Sequence, residues 1–144
     1  MKYWIYPVLG VIAMSLYIKI SDLQSSRDVY LAKQEGLKMG LQEAASKANE
    51  NTPFDVDDAT ILLRQEASDL TLTTYYKLKV AQTALSPGAF DEIKQENIVF
   101  NCNADSMQDA YKLGLVSVFD YADINGDALY RYVIDEEACA GVIK

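Results

Sequence analysis

Catalysis begins with nucleophiles, bases and metal ligands, and this chain offers few of them. It has no histidine and two cysteines, Cys102 and Cys139, beside 21 acidic and 13 basic side chains. Without histidine, Ser-His-Asp and Cys-His catalysis and His-based zinc sites cannot be built. Two cysteines do not by themselves make a four-cysteine zinc site. No Ser-x-x-Lys occurs, and Ser46 and Lys47 are adjacent, so on a helix they point away from one another. No glycine-rich phosphate loop is present. The net charge of −8 disfavours nucleic acid, which needs a basic patch. Nothing in the spacing of the acids selects a general acid and base. The expectation is a protein that binds rather than catalyses, with no cofactor.

The cysteines are the most informative pair. In an exported chain an even count reads most simply as a disulfide, here tying the C-terminal tail to a helix. Buried free thiols and a redox pair are the alternatives, the latter disfavoured by the absence of Cys-x-x-Cys spacing. Two acidic clusters, Asp55, Asp57 and Asp58, and Asp135 to Glu137, read first as solvated edges and second as sites for a basic partner. Asp120 to Gly126 (DYADING) invites a calcium loop. With Gly126 as the turn glycine of an EF-hand, however, Tyr132 falls where the bidentate glutamate is required. A turn is the better reading.

The charges split sharply along the chain. Lys2 and Lys19 are the only charged side chains up to Ile20, so the remainder carries 11 basic (13 − 2) and all 21 acidic residues, a balance of −10. Tyr3 to Ile20 (YWIYPVLGVIAMSLYIKI) is almost wholly apolar. At ~1.5 Å per residue about 18 residues reach ~27 Å, close to the ~30 Å hydrocarbon core of a bilayer. Trp4, Tyr6 and Tyr17 are placed as interfacial anchors, and Lys19 is near enough to the end to snorkel. The rival readings are a cleaved signal, with Ala13-Met14-Ser15 as the processing site, and a buried helix. The short n-region and the apolar run from Leu16 to Ile20 favour an uncleaved anchor. Lys2 and the free amine favour a cytoplasmic N-terminus. The organisation expected is a membrane anchor or uncleaved signal over 1–20, a hinge over 21–26 and a periplasmic domain over 27–144, in a single-pass protein of a bacterial inner membrane.

Elements in the domain must position the remaining candidates. Ser25 or Ser26 can cap a helix running to about Asn49, with Tyr30, Leu37, Leu41, Ala44, Ala45 and Ala48 near one face. Gly36 and Gly40, four apart, suggest close backbone packing. NENTPFDVDD breaks this helix. Thr60–Ala67 and Leu70–Val80 then read as strands about a Ser68-Asp69 turn, with Tyr75 on the face opposite Tyr76. Ser86 and Pro87 predict the start of a helix bearing Phe90, Ile93 and Phe100 and ending near Asn101. Asn103 is expected to cap a short helix that ends at Gly114.

Asn125-Gly126 predicts a type I′ hairpin with Tyr121 opposite Tyr130, Asp120 opposite Arg131, Phe119 opposite Tyr132, Val118 opposite Val133 and Ser117 opposite Ile134. The aromatic face is expected inward, since an opposed ion pair belongs in water. Were it outward, Tyr121, Tyr130 and Tyr132 would form a recognition patch. The fold class expected is α+β: one four-stranded antiparallel sheet of two hairpins, with helices across one face.

TPFDVDDATIL followed by LTLTTYYKLK, a helix ending at Cys102 and YKLGLVSVFDYADINGDALYRYVIDEEAC resembles a group of small bacterial exported or lipoprotein-type domains. The resemblance covers about Pro53 to Cys139 and implies a disulfide-closed α+β domain. It implies no active site, and this chain departs from the lipoprotein members in lacking a lipidated cysteine. The function expected is a membrane-anchored periplasmic protein-binding domain, an accessory subunit of an envelope complex. The alternative is an inhibitor, immunity or phage-exclusion factor that neutralises a basic protein such as a lysozyme. The partners expected are the membrane, through residues 3–20, and another protein.

Overall fold

A computed structural model describes residues 27–142. The anchor candidates Trp4, Tyr6, Tyr17 and Lys19, and the hinge, lie outside the described residues. Among those described, no helix is long and apolar enough to cross a membrane.

Helix α1 (Arg27–Asn49) buries Leu37, Gly40, Leu41, Ala44 and Ala45, the three-and-four spacing read from the sequence. Asp28 in its first turn and Lys47 in its last complement the helix dipole. Tyr30 departs from the expected inward face. It is exposed, and its hydroxyl donates to the Lys112 carbonyl at 3.5 Å. Strand β1 (Phe54–Asp55) is followed by β2 (Thr60–Ser68) and β3 (Thr71–Leu78), joined by a turn at Asp69 and Leu70. Asp69 takes a φ of 54°, a conformation that aspartate tolerates better than most residues.

After a 3₁₀ turn (Gln82–Ala84), helix α2 spans Ala89–Asn103 and α3 spans Asp105–Lys112. The Ser86-Pro87 start is corrected by two residues: Gly88, at φ +82°, occupies the N-cap. Asn103 closes α2 instead of capping α3, which begins after Ala104 without a side-chain cap. Gly114 has the left-handed conformation expected of it, φ +102°. Strands β4 (Val116–Ala122) and β5 (Ala128–Ile134) and helix α4 (Glu136–Ala140) complete the order.

The sheet corrects the four-stranded antiparallel expectation. It has five strands in the order β1-β2-β3-β4-β5, and β3 and β4 run parallel, pairing Tyr75 with Asp120 and Tyr76 with Tyr121. The physical reason is the connection between them. Residues 79–115 contain two helices, and a crossover of that length returns the chain to the same end of the sheet, so parallel pairing becomes available.

The β4–β5 register agrees with the sequence reading from Tyr121–Tyr130 to Ser117–Ile134. The turn does not. Asp123 N donates to Asp127 O at 2.9 Å and Gly126 N to Asp123 O at 2.9 Å, with positive φ at Gly126 and not at Asn125. This is a three-residue loop closed by a glycine, in place of a type I′ turn. Ala122 pairs with Ala128 and Tyr121 with Tyr130, so Leu129 is an extra residue on β5. That bulge offsets the longer loop and restores the expected register.

One face of the sheet, bearing Leu62, Leu72, Tyr76, Leu78, Phe119, Tyr121, Tyr132 and Ile134, shares a core with Leu37 and Leu41 of α1, Ile98 of α2 and Tyr111 of α3. Burying a side chain such as Leu41 or Ile134 contributes ~1.5–3 kcal/mol. Among the described residues the helices therefore lie on one side of the sheet, as expected. The opposite sheet face, with Arg64, Tyr75, Asp120 and Arg131, has no helix of the described residues across it.

The β2 edge is closed in part by a side chain. Beyond the β1 pairing, the Asn49 amide at the end of α1 donates to the Gln65 carbonyl and accepts from the Gln65 N–H, both at 2.8 Å. It takes the place of a neighbouring strand residue and satisfies an edge that would otherwise be open.

Candidate partner-binding surfaces

The aromatic residues of the last hairpin face inward. Tyr121 is 0% exposed and Tyr132 is 4% exposed, so neither belongs to a surface patch; Tyr130 is partly buried. Cross-strand pairing puts them in one stack. Tyr76 lies 5.0 Å from Tyr121, Phe90 lies 5.0 Å from Tyr130 and Phe119 lies 5.0 Å from Tyr132. Their place in the core follows from area, since rings of this size gain more from burial than any other side chains of the hairpin.

Hydroxyls in such a core need partners, and Asn97 of α2 supplies one by donating to the Tyr132 hydroxyl. Asn101 Nδ2 donates to the Asn97 carbonyl at 2.8 Å, which steadies that turn of the helix. The Tyr111 hydroxyl meets Ser117 Oγ at 3.1 Å. The Tyr121 hydroxyl lies near Tyr132 and Asn97 but completes no hydrogen bond. Burial pushes the Tyr132 and Tyr111 phenols up to about 12, and raises Tyr76 and Tyr121 as well. Asn97 was not singled out from the sequence. Its only signal was an asparagine beside Ile98 repeated one turn later at Asn101, beside Cys102.

Tyr75 stands on the uncovered sheet face. Strand register aligns Arg64, Tyr75, Asp120 and Arg131 in one row across four strands. The Arg64 guanidinium lies 3.8 Å from the Tyr75 ring centroid and pairs with Glu66 at 2.9 Å. The Tyr75 hydroxyl donates to the other Glu66 oxygen at 3.0 Å, and Arg131 pairs with Asp120 at 2.9 Å. The hydrogen bond from Arg64, with that from Tyr75, holds the Glu66 carboxyl below its ordinary range. The charges of this row are matched to one another and to Glu66, while Lys77, two residues along β3 on the same side, has no ion pair among the described residues.

The first acidic cluster does not act as a unit. Asp55 pairs with Lys79 at 2.9 Å, Asp57 accepts from Ala59 N–H at 2.7 Å, and Asp58 is exposed. In the second, Asp135 caps α4 by accepting from Ala138 N–H at 2.9 Å. Asp123, the buried acid of the DYADING turn, accepts from the backbone N–H of Asn125 at 2.8 Å and of Asp127 at 3.1 Å. Burial works to raise its pKa, but these backbone donors outweigh it and the net shift is downward. Its carboxylate is occupied by turn-making. Among the described residues no three His, Cys, Asp or Glu side chains come together as a metal site.

Cys102 and Cys139 form the disulfide, with Cα atoms 5.2 Å apart, joining α2 to α4. Next to Cys102 the outward side of α2 carries Val99, 41% exposed, and Phe100, 54% exposed. The sequence reading grouped Phe100 with the apolar positions Phe90 and Ile93; the structure turns it to solvent. Glu92 and Glu96 continue the same stripe at helical spacing.

No protein-family model and no curated protein sequence matches this chain. Among solved structures, the pilotin EpsS of the Vibrio vulnificus type 2 secretion system superposes with a TM-score of 0.61 at 12% identity, covering 74% of this chain and 94% of that one. A secreted protein from Pseudomonas aeruginosa gives 0.62 at 10% identity, covering 81% and 99%. The type 2 secretion pilotin AspS of Vibrio cholerae gives 0.58 at 16% identity, covering 76% and 97%. The class is thus a small α+β domain that shares its fold with a secreted protein and two pilotins and is closed here by a disulfide, as the sequence resemblance implied. At these identities the likeness is one of fold.

Proposed function

We propose that this chain is an accessory, protein-binding component of a bacterial envelope assembly. It is tethered through residues 3–20, with the domain from residue 27 on the periplasmic side of the inner membrane. The observation that carries this reading is the likeness, over 74% and 76% of this chain, to two pilotins of type 2 secretion systems. The disulfide supports an oxidising compartment. The chain's lack of histidine, and the engagement of Asp57, Asp123 and Asp135 in backbone hydrogen bonds, favour binding over catalysis. The second reading, an inhibitor of a basic protein, is favoured by the exposed acids of α2 and α4. Purification of the tagged full chain from detergent-solubilised envelopes tests the choice. An accessory subunit brings an integral membrane complex with it and loses that complex when residues 3–20 are exchanged for a cleavable signal. An inhibitor keeps its target as the soluble domain.

A further inference from the structure

The protein-binding reading leaves open which surface binds and what it binds. We infer that the outward face of α2, with Val99 and Phe100 beside Glu92 and Glu96, is the docking surface, and that it takes a lysine- and arginine-rich protein segment carrying apolar side chains. The inference rests on the binding role proposed above and specifies it.

Three observations converge on this face. The first is apolar exposure. Phe100 is 54% and Val99 41% exposed, side by side on a helix whose other side buries Asn97, Ile98, Asn101 and Cys102. An aromatic ring set out on a fixed element is the usual form of an interface anchor. The second is rigidity. Cys102 ties this turn of α2 to α4, and Asn97 ties the preceding turn to Tyr132 of β5, so the face is held in place before any partner arrives. The ordering cost of binding is correspondingly small.

The third is charge. α2 and α4 carry Asp91, Glu92, Glu96, Glu136 and Glu137 against the single base Lys94. None of these five acids forms an ion pair among the described residues. Elsewhere Asp55, Glu35, Asp69, Glu43, Glu66 and Asp120 are each paired with a lysine or arginine. Asp28, Glu50, Asp58, Asp105 and Asp127 are also without an ion pair among the described residues, but only on α2 and α4 do unpaired acids share their helices with the exposed apolar pair and the disulfide that joins the two. The charge of the acids on α2 and α4 repels an acidic lipid surface and, at the same patch, a second copy of this chain. A basic segment is steered towards it, and its apolar side chains find Phe100 and Val99. On the opposite sheet face Arg64 and Arg131 are paired with Glu66 and Asp120, and Lys77 is left as an unpaired base, so that face lacks the excess of acids and serves as the comparison surface.

The test is photo-crosslinking of the full chain in intact envelopes, with benzoylphenylalanine replacing Phe100 or, on the sheet face, Val133, which is 42% exposed. The crosslinked peptides are then sequenced by mass spectrometry. The expected result is a discrete adduct from position 100 to a peptide with excess Lys and Arg and interspersed apolar residues. Its yield should fall at least about tenfold when Glu92→Gln and Glu96→Gln are added, the scale on which loss of a hot spot acts. The inference is overturned by any of three results: an adduct to an acidic peptide or to a second copy, one insensitive to these substitutions, or adducts from Val133 alone. If the unsubstituted chain co-purifies with no envelope protein at all, the accessory reading itself fails. If it co-purifies with one but position 100 gives no adduct, only the docking surface is wrong.

Discussion

Replacing Cys102 and Cys139 together by alanine removes a crosslink that spans 37 positions of sequence. In the chain-entropy model a loop of that size restricts the unfolded ensemble by about 13 cal/mol/K, or about 4 kcal/mol at room temperature. That is a large share of the ~5–15 kcal/mol stability of a typical domain. Both sulfurs are buried, so the alanine pair also loses packing, and reduction of the unsubstituted chain is the cleaner comparison. The assay is urea unfolding of the full chain in mild detergent, with and without reductant, followed by far-UV circular dichroism. The reduced chain should keep its native spectrum in the absence of urea, because α2 and α4 still pack on β5. Its midpoint should fall, and its m value should rise as the unfolded chain expands. Unfolding free energies in water that agree within about 0.5 kcal/mol would refute the claim that the crosslink supplies a main part of the stability.

Four further outcomes follow from the geometry. Asn97→Ala strands the buried Tyr132 hydroxyl and should cost ~1–3 kcal/mol in urea unfolding, whereas Tyr121→Phe removes a hydroxyl without a hydrogen bond and should be near neutral. Asn49→Ala opens the β2 edge, so hydrogen exchange at the Gln65 amide should accelerate while the core amides of β3 and β4 change little. Gly114→Ala should destabilise more than Gly126→Ala: both glycines have positive φ, but only at Gly114 does an added Cβ press against a side chain, Leu70 Cδ1 at 3.2 Å. Burial raises Tyr111 and Tyr132 to about 12, so the folded state favours the protonated phenols and the unfolded state releases their protons first, near pH ~10. Stability is then full below pH ~10 and is lost as pH rises towards ~12. Ionisation followed at the individually assigned NMR ring signals of Tyr111 and Tyr132 should accordingly occur together with loss of structure, after that of the exposed Tyr30, and ionisation of either ring ahead of unfolding would contradict its burial.

Much of the domain was legible because its signals are local. Helical spacing from Leu37 to Ala45, the alternation through Leu72, Thr74, Tyr76 and Leu78, and the cysteine pair each reappear in the structure. The second hairpin came out in register for a partly different reason, since a three-residue loop and the bulge at Leu129 offset one another. What was missed depends on contacts distant in sequence. The parallel β3–β4 pairing follows from how α2 and α3 return the chain to the sheet. Strand β1 has two residues, too few to show alternation. The outward turn of Phe100 is set by the side of α2 that Cys102 and Asn97 pull inward, which composition alone does not reveal.

The central claim is that this domain works by holding another envelope protein. Native electrophoresis of gently solubilised envelopes, probed for the tagged full chain, tests it most directly. The account predicts migration in an assembly far heavier than the 16.1 kDa chain, with collapse to the free chain when Phe100→Ser is combined with Glu92→Gln and Glu96→Gln. Migration of the unsubstituted chain as the free protein, under conditions that keep other envelope complexes intact, would contradict it.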